Sequence, residues 1–121
     1  MEPVEVNAGA WYLRGLRADD RLSDVAALTD LGAADPAGYV AGTEDGWRAG
    51  DRCVWAVCEP TTGELLAVVG VRAPAGSASR MTGRARSGGT EALAAAVGPV
   101  RRFAREALDW DVDDRLDDRW P

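Results

Sequence analysis

The residues best suited to chemistry lie in one short run, Arg84-Ala-Arg-Ser-Gly-Gly89, followed at Thr90 by a segment patterned as an amphipathic helix to Leu108. A serine and two glycines just ahead of a helix leave backbone N–H groups without partners. The positive end of the helix dipole stands behind them, so the place suits an anion, most often a phosphate. The residues before the run read as strands, which puts it at a strand-to-helix turn, where phosphate-binding loops of α/β proteins occur. Glycine and serine are also ordinary loop residues, and taken alone the run reads more readily as a helix cap. Arg84, Arg86, Ser87, Gly88, Gly89 and Thr90 are the candidate site residues.

Composition removes much other chemistry. The chain has neither His nor Lys, and all 14 of its positive charges are Arg. That excludes Ser-His and Cys-His nucleophile pairs, a His general base, a His metal site, a Schiff base and a P-loop lysine. Cys53 and Cys58 are too few for a disulfide scaffold or a Cys-only zinc site. Their odd spacing in a strand sends them to opposite faces, so they are expected to be unbridged core residues. A net charge of −6 argues against nucleic acid as a general partner. No segment is apolar and long enough to span a membrane, and a cytoplasmic protein is expected. Abundant Ala, Gly and Arg suggest a GC-rich bacterial source.

At 121 residues, 46% of them hydrophobic, the chain is expected to form one domain with a sizeable core. Residues 1–10 read as a loose polar lead. Trp11 to Arg17 reads as a first strand with a bulge at Gly15. Asp19 or Asp20 is a candidate cap for a helix through Leu22, Val25, Ala26 and Leu28, stopped by Gly32. Gly38, Gly42, Gly46 and Gly50 predict a weak or broken second helix anchored by Tyr39, Val40 and Trp47. Cys53–Cys58 and Glu64–Arg72 are strands apolar on both faces, joined by a Glu59–Gly63 turn, so their hairpin belongs inside a doubly covered sheet. A turn at Ala73–Gly76 precedes a third, more polar strand through Ser77-Ala-Ser-Arg-Met-Thr82. The last helix, capped by Thr90, has a buried stripe at Leu93, Val97, Val100, Phe103, Ala104, Ala107 and Leu108. Gly98-Pro99 predicts a kink or break near Ala95. The tail 109–121 is an acidic surface run pinned, if at all, by Trp110, Leu116 and Trp120; its spacing fits no calcium loop.

Taken together, three stretches resemble the GCN5-related N-acetyltransferase superfamily, in particular its ribosomal-protein and aminoglycoside acetylating branch. Tyr12–Asp20 is similar to that branch's first strand and the turn into its first helix. Trp47–Arg72 resembles its second-to-third strand hairpin, including the Thr-Gly-Glu turn. Gly83–Leu108 looks like its acetyl-CoA loop and following helix. The resemblance covers residues 11–108, and it implies an α/β (α+β) fold: a mixed, mostly antiparallel sheet flanked by helices. The family loop, of the form R/Q-x-x-G-x-G/A, binds the pyrophosphate of acetyl-CoA through backbone N–H groups. Arg84 matches its leading residue and Gly89 its last, Ser87 stands where glycine is expected, and Arg86 and Gly88 fill variable positions. If Ser87 had to adopt positive φ, the cradle would be strained by about 1 kcal/mol or more.

The family's closing strands are not found after Leu108, so the resemblance implies a partial domain lacking the C-terminal strands. The tyrosine and glutamate that often carry proton transfer in the family have no match here. Glu59 and Glu64, which flank the hairpin turn, fit exposed turn residues better than bases. What the resemblance implies is transfer of acetyl from acetyl-CoA to a primary amine on a small molecule or protein, without a metal. The alternative is an inactive remnant that binds CoA or pairs through its incomplete sheet edge, including with a second copy.

Overall fold

The computed structural model describes residues 1–74, 78–113, 115–117 and 119–121. Five strands, β1 (Val6–Ala8), β2 (Trp11–Gly15), β3 (Arg52–Cys58), β4 (Leu65–Arg72) and β5 (Arg80–Ala85), form one sheet in the order β1-β2-β3-β4-β5. Every neighbouring pair is antiparallel. Helices α1 (Val25–Leu31) and α2 (Pro36–Ala49) lie between β2 and β3 in the chain, and α3 (Thr90–Leu108) follows β5.

Strand alternation divides the core in two. Cys53, Trp55, Val57, Val69, Val71 and Met81 face α3 and pack on Ala92, Ala96, Val100 and Ala104. Those four residues recur every fourth position of α3, and three of them are alanine, which lets the helix lie close on the sheet. Val54, Ala56, Cys58 and Val68 face the other way, against Leu28, Leu31 and Val40 of α1 and α2. Cys53 and Cys58 are both free and buried, in different clusters, as their spacing requires. The hairpin expected between β3 and β4 is present, its turn closed by Glu59 N–H to Glu64 O (3.0 Å) and by Gly63 at φ +74°.

Several sequence expectations are corrected. The N-terminal lead is not loose throughout. Val6–Ala8 turns through Gly9 (φ +66°) to pair with Trp11–Leu13, and the Trp55 indole donates to Val4 O at 2.7 Å. Gly15 is a paired residue opposite Trp55, and the register irregularity lies at Val57/Cys58 instead. The helix expected from Asp19 or Asp20 begins only at Val25, because Asp19 closes a turn with the amides of Arg21 and Leu22. Its stop at Gly32 stands (φ 103°).

Helix α2 runs unbroken despite its glycines. Two of them have packing reasons: a Cβ on Gly46 would meet Arg52 O at 2.8 Å, and one on Gly38 would collide with the capping Asp35 carboxylate. Tertiary contact thus outweighs poor propensity. Past Trp55, where the pairing with β2 ends, the Trp47 indole donates to Val54 O (3.1 Å) and stacks edge-on against Trp55.

The expected turn at Ala73–Gly76 and the start of the third polar strand at Ser77 lie partly outside the described residues; the described strand begins at Arg80 and extends to Ala85. Helix α3 also passes through Pro99 without a break. Gly89, not Thr90, is its N-cap, no side chain caps it, and Ala107 is exposed rather than part of the buried stripe.

After α3 the chain crosses the sheet's β5 edge. Trp110 and Leu116 pack on the α3 side, whereas Trp120 packs on the α1–α2 side. Between them Asp117 N–H donates to Met81 O at 2.8 Å, and Asp117 makes a parallel bridge with Thr82.

Candidate functional site

The β5-to-α3 junction brings part of the predicted site together. Positive φ falls on Gly88 (+84°) and not on Ser87, so the serine sits in the loop without the strain it would suffer in that conformation. Gly89 is buried, and a Cβ there would collide with Leu66 O, so only glycine lets the loop lie on β4. The loop is held by Arg86 N–H to Leu66 O (2.9 Å) and Gly89 N–H to Arg86 O (2.8 Å). The amides of Ser87, Gly88, Thr90, Glu91 and Ala92 have no acceptor among the described residues. Ser87, Gly88 and Thr90 are exposed, so the row opens to solvent. Such a row at the start of a 19-residue helix suits a phosphate or pyrophosphate. Glu91, in the first turn, adds a negative charge that partly offsets the dipole.

The two arginines of the run go elsewhere. Arg84 is a β5 residue; its guanidinium lies over the Trp120 ring, 4.5 Å from the centroid. Arg86 ties the loop to neighbouring elements. Its Nε donates to Asp30 of α1 (2.8 Å), its Nη1 donates to Leu65 O (2.9 Å), and Glu64 is 3.6 Å away. Arg86 is therefore a brace for the loop, and the backbone amides are what the loop offers a ligand.

The carboxylates considered as bases do turn chemistry. Glu59 accepts from the amides of Thr61 (3.1 Å) and Thr62 (2.9 Å), and these bonds hold its pKa below the ordinary value. Glu64 is exposed and lies beside Arg86. Tyr39 is different. Its hydroxyl is buried with no hydrogen-bond partner among the described residues, and burial pushes its pKa up to about 12 against the opposing pull of Arg52. It lines a cavity of about 450 Å³ with Gly32–Asp35, Arg84 and Trp120. Protonated across the ordinary pH range, Tyr39 can donate a hydrogen bond there and cannot act as a base.

A buried ion pair escaped the sequence reading. Arg14 and Asp24 meet in a fork of 2.8 and 2.9 Å, and Asp24 also accepts from Arg17 N–H (2.7 Å). Burial alone would lower the Arg14 pKa; the bonds to Asp24 outweigh it and raise the value. The pair anchors the entry to α1 and reaches no cavity described above. Its only sequence signal was a charged residue inside an otherwise apolar strand.

Among the described residues no cluster of acidic, Cys or His side chains could hold a metal ion, and no helix is long and apolar enough to cross a membrane.

Neither known family models nor curated proteins match the chain. Solved structures do. A putative ribosomal-protein-serine acetyltransferase from Vibrio cholerae superimposes with a TM-score of 0.71 at 15% identity, over 90% of this chain and 71% of that one. Mycobacterium smegmatis RimJ, solved in complex with CoA-disulfide, gives 0.66 at 18% identity, over 91% of this chain and 67% of that one. The antiparallel sheet, the α1–α2 layer and the α3 junction thus make up the GCN5-related N-acetyltransferase fold, and that is the fold of this chain.

Proposed function

We propose that the protein is an acetyl-CoA-dependent N-acetyltransferase acting on a primary amine. The observation that carries this reading is the row of acceptor-free amides at Ser87, Gly88 and Thr90–Ala92, set at the β5–α3 junction of an acetyltransferase fold. Acetyl-CoA would supply the thioester, its pyrophosphate held by those amides, with Gly88 giving the positive φ and Gly89 the close approach to β4. The chain has no His and no Lys, so the protein contributes position and hydrogen bonds, and the amine itself attacks the thioester. The likeness of fold to RimJ, solved with CoA-disulfide, supports CoA as the ligand class.

A second reading is a CoA-binding or partner-binding module without turnover. It is favoured by the turn role of Glu59 and the exposed position of Glu64, which match the expectation that neither is a base, and by Trp120, which covers the sheet face beside Arg84 and Tyr39. In this reading a second copy pairs through the β5 edge, part of which is taken by Asp117.

Thiol release from acetyl-CoA over a panel of primary amines separates the two. Catalysis predicts amine-dependent release, and Gly88→Val, which forces a β-branched residue to positive φ, should raise the CoA Kd tenfold or more. CoA binding with no release for any amine would leave only the second reading.

A further inference from the structure

Four arginines share the α1–α2 face of the sheet near its β5 edge, and three of them stand in one cross-strand row. Arg52 of β3 is paired in register with Arg72 of β4, and Arg72 with Arg80 of β5. Arg84 lies on the same face of β5, opposite Val68. Like charges directly opposite on neighbouring strands repel, and a row of three is a costly arrangement unless negative charge meets it. None of the four has an Asp or Glu ion-pair partner among the described residues, although the chain carries 20 acidic residues. Arg80 Nε is buried with no hydrogen-bond partner among the described residues. Burial, and then repulsion by Arg52 and Arg80, lowers the pKa of Arg72.

What meets the row is the tail. Arg52 donates from Nε (3.1 Å) and Nη2 (2.8 Å) to the backbone oxygen of Pro121, and Arg72 Nη2 lies 3.5 Å from the same atom. Pro121 is buried over Gly70, where a Cβ would stand 3.6 Å from the proline ring. Trp120 beside it is clasped between Arg84 and Tyr39. A single oxygen is thus the acceptor for two guanidinium groups. Cavities of about 320 Å³ (beside Arg52 and Arg72) and 450 Å³ (beside Arg84 and Tyr39) open on the same surroundings. Asp51 lines the first cavity and favours the charge of Arg72, Asp35 lines the second, and Arg80 borders a further cavity of about 510 Å³ with Asp113 and Asp117; none of these carboxylates forms an ion pair with the row among the described residues.

We propose that the Arg52–Arg72–Arg80 row, with Arg84, is an oxyanion-binding site for a phosphate-bearing ligand, and that Trp120–Pro121 is a displaceable plug seated in it. With strands about 4.8 Å apart, the row spans about 10 Å, a length suited to a diphosphate. This site is separate from the Ser87–Ala92 amides and does not depend on the acetyltransferase reading.

The test is a titration of the isotope-labelled full chain with inorganic pyrophosphate, followed by the indole N–H signals of its tryptophans. The Trp120 signal should move toward the position of a solvent-exposed indole while those of the buried Trp47 and Trp55 stay in place, which reports displacement of the plug without unfolding. Arg52→Gln combined with Arg72→Gln should weaken pyrophosphate binding at least tenfold. Trp120→Ala, which loosens the plug, should tighten it severalfold. Binding that shifts only the backbone amides of Ser87–Ala92, or that leaves the Trp120 signal fixed at saturation, would overturn the proposal. So would an affinity unchanged in the double arginine variant. Should that variant prove unfolded, the titration of the intact chain decides the matter alone.

Discussion

Two side chains, buried Asp24 and partly buried Tyr39, carry predictions of their own. Asp24 is held by the Arg14 fork and by Arg17 N–H, at 3% exposure, so removing its carboxylate leaves a guanidinium charge uncompensated. Asp24→Ala should cost about 3–5 kcal/mol in chemical denaturation, the range for breaking one side of a buried pair. Tyr39 should titrate spectrophotometrically near pH 12, above the ordinary tyrosine value of about 10. The folded state holds that proton more tightly than the unfolded chain. Its contribution to stability is therefore complete below about pH 10 and lost as pH rises through 12. Tyr39→Phe should remove that part of the alkaline dependence.

At the scale of elements, what the sequence revealed depended on the length of each pattern. The β3–β4 hairpin was legible because apolar residues fill both faces and Gly63 marks its turn. β1 was not, because three residues are too few to show alternation, and its pairing rests on the turn at Gly9. α2 looked weak because propensity is local, whereas the reason for Gly46 is a backbone atom of β3 that only the fold brings near. Arg84 was read as a loop residue because the end of a polar strand has no sequence marker. The arginine row was out of reach for a similar reason. Its register depends on pairing across the connection between β4 and β5, whose geometry no spacing rule fixes. The contrast between two helical glycines follows. Gly98 has open space where a Cβ would stand, so Gly98→Ala should raise stability by about 0.5–1 kcal/mol. Gly46→Ala should lower it, since Arg52 O blocks the methyl group; thermal denaturation of the two variants checks both signs.

For the whole molecule, a sheet with helices on both faces presents two anion-attracting places at the β5 side, the amide row at α3 and the arginine row under Trp120. At the site expected from the sequence, the amides of Ser87, Gly88 and Thr90 open to solvent, whereas Arg84 lies over Trp120 and Arg86 braces the loop. The most direct measurement is a thermal melt with and without CoA. A ligand near 100 times its Kd stabilises by about 2.7 kcal/mol, which for a chain of this length is a rise on the order of 10 °C. A rise of that size with CoA, much reduced in Gly88→Val, is the predicted result. A cooperative melt that CoA leaves unmoved at millimolar concentration would contradict the assignment of the amide row to this cofactor.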